Sequence, residues 1–143
     1  MIIPFKKIHP DAKLPLRAKS GDAGADLYSV ESVKLKPFSS ALVHTGLVGA
    51  IPEGYVGLIH PRSGLALKRS ITVLNAPGTV DSGYRGEFCI ILYNASDKMQ
   101  ELEKGERIAQ LVIQKVELPT FEETQNLPDS DRGESGFGST GEK

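Results

Sequence analysis

Residues 75–87, Asn-Ala-Pro-Gly-Thr-Val-Asp-Ser-Gly-Tyr-Arg-Gly-Glu, carry more reactive side chains than a tight turn requires. They include an amide, two carboxylates, a phenol and a guanidinium. A plain β-hairpin needs only a two-residue turn of the Asn-Gly type. The three glycines permit backbone angles and close approaches that other residues resist. By themselves, these residues are compatible either with a decorated turn or with a binding and catalytic loop.

Residues 20–29, Ser-Gly-Asp-Ala-Gly-Ala-Asp-Leu-Tyr-Ser, bring two aspartates to the start of a strand near Leu27. Short polar side chains of this kind form Asx turns with the nearby backbone. The alternative is that Asp26 points toward a metal ion or its water shell.

Residues 61–68, Pro-Arg-Ser-Gly-Leu-Ala-Leu-Lys, have the composition of a short helix with a polar start. Ser63 is predicted to cap it, with Leu65 and Leu67 partly buried. The free amides after Ser63 would form an anion site, and Arg62 would add a planar donor for phosphate oxygens. The alternative is a capped helical turn with a surface arginine.

Gln110 interrupts the apolar run Ile-Ala-Gln-Leu-Val-Ile at residues 108–113. A polar amide in such a run must find a partner or lose its hydration without compensation. It is either a strand-edge residue that faces water or a donor aimed into a polar site.

The C-terminal stretch at residues 132–141, Arg-Gly-Glu-Ser-Gly-Phe-Gly-Ser-Thr-Gly, has the composition of a disordered tail. Three features favour a functional role instead. Arg132 is a phosphate donor, Phe137 is a lone aromatic among glycines, and Ser139 and Thr140 add hydroxyls beside flexible amides. Such a mixture suits a tail that orders over a nucleotide.

Composition limits the other possibilities. The 143 residues suggest one domain, and 17 basic against 18 acidic side chains argue against a nucleic-acid polymer or an anionic membrane as partner. Cys89 lies in an apolar run and is expected to be buried and inert. No histidine has the spacing of a Ser or Cys catalytic pair, and no Cys/His cluster for zinc is recognisable. Without a signal peptide or an apolar span, a cytoplasmic location is expected.

The elements that must position these residues are mostly short strands with turn signals between them. This pattern, with at most one short helix, predicts an all-β sandwich or barrel over residues 1–119. Residues 96–104 are predicted to be a surface loop, and the acidic, turn-rich residues after 119 a linker leading to the tail, over 120–143. The predicted strands cover residues 2–8, 32–37, 40–48, 55–60, 71–74, 86–95 and 106–117, with one more near Leu27.

Taken together, five patches resemble the five ordered motifs of the trimeric dUTP diphosphatases (dUTPases). The patches are residues 25–29, 61–65, 75–87, 105–111 and 132–141. Each motif is weak alone, but five in order are highly specific. The resemblance implies a distorted β jelly roll, a homotrimer, and Mg²⁺-dependent hydrolysis of dUTP to dUMP and pyrophosphate. It also implies shared active sites, in which the tail of one subunit closes over a pocket formed by two others.

The resemblance assigns roles by position. Asp81 matches the catalytic aspartate, which would orient the water that attacks the α-phosphorus. Asp26 matches a residue near the water ligands of the metal. Tyr84 matches the aromatic beneath the deoxyribose, and Phe137 matches the ring that stacks on uracil. The other matches contact the base or the phosphates: Arg62, Ser63, Gly64, Asn75, Gly78, Thr79, Val80, Gln110, Arg132, Gly138, Ser139 and Thr140.

One departure and two rival functions accompany the resemblance. Glu134 and Ser135 stand where the family has small, uncharged residues, which affects the expected affinity of the tail. A dCTP deaminase of the same fold would need a glutamate as general acid and base, and its position falls at Ile91, which cannot transfer protons. The second rival is a non-catalytic nucleotide-binding or interaction module, which the full set of catalytic residues argues against.

Overall fold

The computed structural model describes residues 1–141, which contain ten strands and one helix and confirm the expected all-β fold. Most of the strands are short. The elements are β1 (Phe5–Lys7), β2 (Ala25–Tyr28), β3 (Val33–Leu35), β4 (Ser39–Gly49), β5 (Tyr55–His60), α1 (Ser63–Arg69), β6 (Ile71–Val73), β7 (Gly78–Val80), β8 (Glu87–Asn94), β9 (Gln100–Leu102) and β10 (Arg107–Lys115).

Two four-stranded antiparallel sheets enclose the core in a jelly-roll-like sandwich. One sheet has the order β1-β4-β8-β6, the other β2-β10-β5-β7, and β3 and β9 form a separate ribbon. Strand β8 shows why these segments are strands: Phe88, Ile90 and Leu92 are buried, and the residues between them are half-exposed. This period of two places one row of side chains in the core and the other on the outer face.

The connection at residues 75–87 differs from a simple hairpin. Strands β6 and β8 pair as expected, but the connection contains β7, which pairs with β5 of the opposite sheet. The Ala76–Pro77 peptide bond is cis. The loop therefore bridges the two sheets, which anchors its functional groups at both ends.

The helix prediction was correct in place and wrong in detail. Arg62 occupies the N-cap with extended φ and ψ of −100° and 130° and no side-chain cap bond, so Ser63 is the first helical residue and not the cap. Leu65 is buried, but Leu67 is 86% exposed. Residues two apart in a helix point in different directions, so only one of the two leucines can face the core.

The predicted loop at residues 96–104 contains strand β9, which the sequence did not reveal. Only Leu102 of its three residues is buried, so the segment has no clear alternation. It is a strand because it pairs with β3, as in the Leu35–Gln100 and Val33–Leu102 pairs. The two strands are about 67 residues apart in the chain, so no local sequence pattern could predict their pairing.

Candidate functional site

A polar cleft of about 420 Å³, here called the Asp26 cleft, collects five of the predicted site residues. Strand β10 brings them together because it is paired on both sides. Gln110 is opposite Asp26 of β2 and also opposite His60 of β5, and His60 leads directly into Pro61 and Arg62. The predicted residues that line the cleft are Asp26, Arg62, Ser63, Gly64 and Gln110.

Asp26 is held between two guanidinium groups. Arg62 Nε donates to its Oδ1 at 3.0 Å, and Arg107 Nη1 donates to its Oδ2 at 3.3 Å. The Asp26 side chain is only 15% exposed, so charge-assisted bonds compensate its partial burial. The terminal nitrogens of Arg62 make no hydrogen bond within residues 1–141, which leaves them available to an anion.

Gln110 is not a strand-edge residue. It lies on the inner strand β10, and its Nε2 donates to the carbonyl oxygen of Pro61 at 2.9 Å. Its Oε1 lies against Gly24, where an added Cβ would be only 2.0 Å from that oxygen. Gly24 is therefore required at this position so that the Gln110 amide can fit.

A second cleft of about 250 Å³, here called the hairpin pocket, lies beneath the connection at residues 75–87. Tyr84 forms one wall: its hydroxyl donates to the Glu87 carbonyl at 2.8 Å, and its ring centre is 6.4 Å from that of Phe88. Its phenol ring is thereby held in place although Tyr84 is 45% exposed. The predicted residues here are Asn75, Gly78, Thr79, Val80 and Tyr84.

Asp81 lies apart from the Asp26 cleft. It follows β7 and is exposed, and its carboxylate makes no hydrogen bond within the described part of the chain. Val80 pairs with Gly57, while Arg62 continues β5 beyond His60. Asp81 is thus opposite the residue before Gly57, and at about 3.3 Å per residue it is roughly 20 Å from Arg62 along the sheet.

The tail is not brought to either cleft. Arg132, Phe137, Gly138, Ser139 and Thr140 are all exposed, and Phe137 is exposed fully. The hydrogen bonds of residues 130–141 join only residues of this segment, such as Arg132 Nε to the Ser135 carbonyl at 2.9 Å.

Sequence reasoning missed five lining residues of the Asp26 cleft, of which Asp22, Gly24 and Arg107 bear on its chemistry; the other two are Ala18 and Ala23. Asp22 and Gly24 lie in the glycine-rich patch before β2, and Arg107 lies in the motif that contains Gln110. Their presence in these motifs was the one sequence signal that could have identified them. The strand register that aims Arg107 at Asp26 could not be read from spacing.

The sequence shows no Cys/His cluster for zinc, but the fold brings a mixed group of donor atoms together, and Cys89, expected to be buried, is half-exposed. His44, Glu87 and Cys89 have donor atoms within 4.8 Å of one another, although His44 is far from the other two in sequence. The Glu87 carboxylate raises the pKa of His44. Burial opposes the ionisation of Glu87, but hydrogen bonds from His44 and the Gly46 amide outweigh it and lower the pKa of Glu87. Burial and the Glu87 charge raise the pKa of the Cys89 thiol to about 11, which keeps it protonated.

Outside these clusters, a hydrogen bond from Lys104 lowers the pKa of the Asp11 carboxyl at the surface. No helix within residues 1–141 is long and apolar enough to cross a membrane.

Comparisons with known proteins give a consistent result. A family model described as dUTPase matches residues 10–141. The chain is 51% identical over 140 residues to the deoxyuridine 5'-triphosphate nucleotidohydrolase of Rhodococcus erythropolis, which covers 97% of this chain and 85% of that protein. It is 49% identical over 141 residues to the protein of the same name from Corynebacterium diphtheriae, covering 98% and 93%. The structure of the Staphylococcus bacteriophage 80alpha dUTPase with dUPNHPP matches with a TM-score of 0.90 at 33% identity, covering 98% of each chain.

Proposed function

The chain belongs to the dUTPase family, and we propose on that premise that it hydrolyses dUTP to dUMP and pyrophosphate. The observation that carries the proposal is the convergence of Arg62, Ser63, Gly64 and Gln110 in the Asp26 cleft. Arg62 supplies charge-assisted donors to phosphate oxygens, and the Ser63 hydroxyl and the Gln110 amide supply neutral ones. This donor set suits a triphosphate.

The hairpin pocket would bind the nucleoside. Tyr84, fixed by its bond to the Glu87 carbonyl, would pack beneath the deoxyribose and leave no room for a ribose 2′-hydroxyl. The main chain around Gly78 to Val80, with the Asn75 amide, would pair with the polar edge of uracil. A site that pairs every polar group of one base rejects another base strongly, because the wrong base leaves buried groups unpaired.

Asp81 would act on the attacking water. Its carboxylate is exposed and free of hydrogen bonds within residues 1–141, so it can accept a proton from a water molecule and orient that molecule toward the α-phosphorus. The bond between the α-phosphorus and the bridging oxygen then breaks, and pyrophosphate leaves. Cationic and hydrogen-bonding groups around the phosphates would stabilise the charge that develops.

The separation of Asp81 from Arg62 supports active sites shared between subunits. The two residues leave opposite ends of the β5–β7 pairing, roughly 20 Å apart, so one chain cannot present both to one α-phosphate. A homotrimer, with the Asp26 cleft of one subunit facing the hairpin of the next, removes this difficulty. Residues 120–143 would form the arm that closes over a neighbour's site, where Arg132 and Phe137 bind phosphate and base. Residues 142–143 of this arm lie outside the described residues.

Mg²⁺ fits the Asp26 cleft as an ion held mainly by the triphosphate and by water. Asp26 and Asp22 provide carboxylate oxygens, the ligand type that Mg²⁺ prefers. Because Asp26 already accepts bonds from Arg62 and Arg107, it suits contact through water better than direct ligation. When bound, the ion would neutralise phosphate charge.

In the cell, this reaction would limit the incorporation of uracil into DNA and supply dUMP for dTMP synthesis. We place it in the cytoplasm, where its substrate pool would be.

The direct test measures pyrophosphate release from dUTP, dTTP, dCTP and UTP, each with Mg²⁺ and with a chelator. We expect turnover of dUTP that needs the metal, with the other three slower by at least about two orders of magnitude. Equal rates for UTP and dUTP would show that Tyr84 does not select the sugar.

The same samples test the rival deaminase. Ile91 lines the hairpin pocket where a deaminase would need its glutamate, so dCTP should release no ammonia. Ammonia release would replace the proposed reaction with deamination.

A further inference from the structure

The geometry assigns a binding site for a thiophilic divalent cation, of the Zn²⁺ or Co²⁺ class, to His44, Glu87 and Cys89. The three side chains lie on the outer face of the first sheet, away from the Asp26 cleft where Mg²⁺ would act. Glu87 and Cys89 also line the hairpin pocket, but the assignment rests on the donor atoms of the three side chains and not on nucleotide hydrolysis.

Strand register explains why the donor atoms converge. His44 of β4 is directly opposite Cys89 of β8, and Glu87 precedes Cys89 by two residues and therefore shares its face. A register shift between His44 and Val48 turns the Gly46 amide toward Glu87, and this N–H donates to Glu87 Oε1 at 2.8 Å. Oε2 is thereby held toward the cluster.

The distances between the donor atoms, all within 4.8 Å, are compatible with a tetrahedral site after a small adjustment. His44 Nδ1 is 3.5 Å from Cys89 Sγ and 2.8 Å from Glu87 Oε2. Zinc–nitrogen and zinc–sulfur bonds of about 2.0 and 2.3 Å place these two ligand atoms about 3.5 Å apart. The distance between His44 Nδ1 and Glu87 Oε2 would have to lengthen by about 0.5 Å, because a metal ion would replace the hydrogen bond that now joins them.

The surroundings favour a cation and admit it. The His44 side chain is 45% exposed and that of Glu87 is 21% exposed. A cleft of about 200 Å³ opens beside them, and His9 and Glu31 also line it. Glu31 accepts the His44 backbone N–H at 3.3 Å, which adds a second negative charge next to the site.

The ligand types select the metal class. Thiolate and imidazole favour Zn²⁺, Co²⁺ and similar ions, whereas Mg²⁺ takes oxygen ligands. Binding must displace the thiol proton of Cys89 and any proton on His44, so about one to two protons should be released to solvent per metal ion. Three protein ligands leave the fourth position of a tetrahedral site to a water molecule.

The test uses the full-length chain without an affinity tag, stripped with chelator and titrated with Co²⁺. We expect one ion per chain, a thiolate-to-cobalt charge-transfer band in the near ultraviolet, and visible bands of tetrahedral intensity that Zn²⁺ abolishes. C89S should lose the charge-transfer band, and H44Q should weaken binding at least about tenfold. Absence of the charge-transfer band in the unaltered chain, or its persistence in C89S, would overturn the assignment.

Two further measurements keep the result interpretable. H60Q removes an imidazole elsewhere in the molecule and should bind Co²⁺ like the unaltered chain. If H60Q lost as much Co²⁺ affinity as H44Q, the specific role of His44 would be refuted. Zn²⁺ should also protect Cys89 of the unaltered chain from alkylation by iodoacetamide, measured by mass spectrometry. This readout needs no variant to fold, and a failure of Zn²⁺ to protect Cys89 contradicts the site.

Discussion

Gln110 shows how a single side chain depends on what lies opposite it. Its amide is wedged between the Pro61 carbonyl and the backbone of Gly24, so its direction is set by residues from two neighbouring strands and their loops. Asp26 is fixed in the same way by Arg62 and Arg107. A substitution beside such a side chain therefore affects binding indirectly, because it displaces the side chain that contacts the ligand.

Replacement of Gly24 by alanine should therefore impair substrate binding through Gln110. The new Cβ would lie 2.0 Å from Oε1, and the amide must rotate away and give up its bond to Pro61. The displaced amide would no longer contact the phosphates of dUTP. Loss of this one hydrogen bond predicts a rise in the KM for dUTP of about tenfold, or ~1.4 kcal/mol. Gly21→Ala is the matched control, since nothing lies within 4 Å of its added Cβ. Equal KM values for the two variants would rule out this role of Gly24.

Asp81→Asn should keep dUTP binding and lose turnover. The amide has the same shape but cannot accept the proton of the attacking water, so kcat should fall by about 10²- to 10⁴-fold. Binding is measured by calorimetry with a non-hydrolysable analogue, and turnover by pyrophosphate release. Ser82→Ala, at the neighbouring position, should leave kcat within about twofold. If Asp81→Asn retains near-normal turnover, water activation belongs to another group.

At the scale of elements, the end of β8 is tied to the β3–β9 ribbon through one buried side chain. Asn94 is fully buried, and its Nδ2 donates to the carbonyls of Leu35, Lys36 and Lys98. Its Oδ1 accepts from the backbone and the hydroxyl of Ser96. The amide thus satisfies backbone groups of two segments, residues 35–36 and 96–98.

Asn94→Ala should destabilise the fold by about 3 kcal/mol, because it leaves several buried carbonyls without donors. Urea unfolding at one fixed protein concentration measures this, since the stability of an oligomer depends on concentration. Ser96→Ala removes only one hydroxyl and should cost about 1 kcal/mol. Comparable losses for both variants would show that the network does not centre on Asn94.

At the scale of the whole molecule, the exposed tail is the least integrated part. Residues 116–141 are exposed almost throughout, and Phe137 has no packing partner within the described chain. The Phe137 ring is therefore available to a ligand or to another subunit.

Truncation before Arg132 should leave the oligomer intact and lower kcat/KM for dUTP by on the order of 10²-fold or more, through loss of base stacking and a charged contact. Oligomeric state is checked by light scattering. Mixing truncated chains with full-length Asp81→Asn chains should restore part of the activity, because shared sites can combine an intact Asp81 with an intact tail. No recovery in demonstrated mixed oligomers would mean that one chain supplies both.

Most strands, the helix and the five motifs are predictable from the sequence, because alternation of apolar residues and turn chemistry are local properties. Strand β5 was predicted at its observed limits, residues 55–60, and β8 and β10 within two residues of theirs. The errors fell where the local pattern is weak, at strands β7 and β9, at Leu67 and at the helix cap.

Which of these residues contact one another is visible only in the folded chain. Arg62 and Asp26 are 36 positions apart, and Cys89 and His44 are 45 apart, yet each pair is in contact. These contacts follow from strand register, which depends on how the two sheets bury a common core and not on spacing along the chain. For the same reason, the sequence showed a reactive loop at residues 75–87, but only the pairing of β7 with β5 separated Asp81 from Arg62.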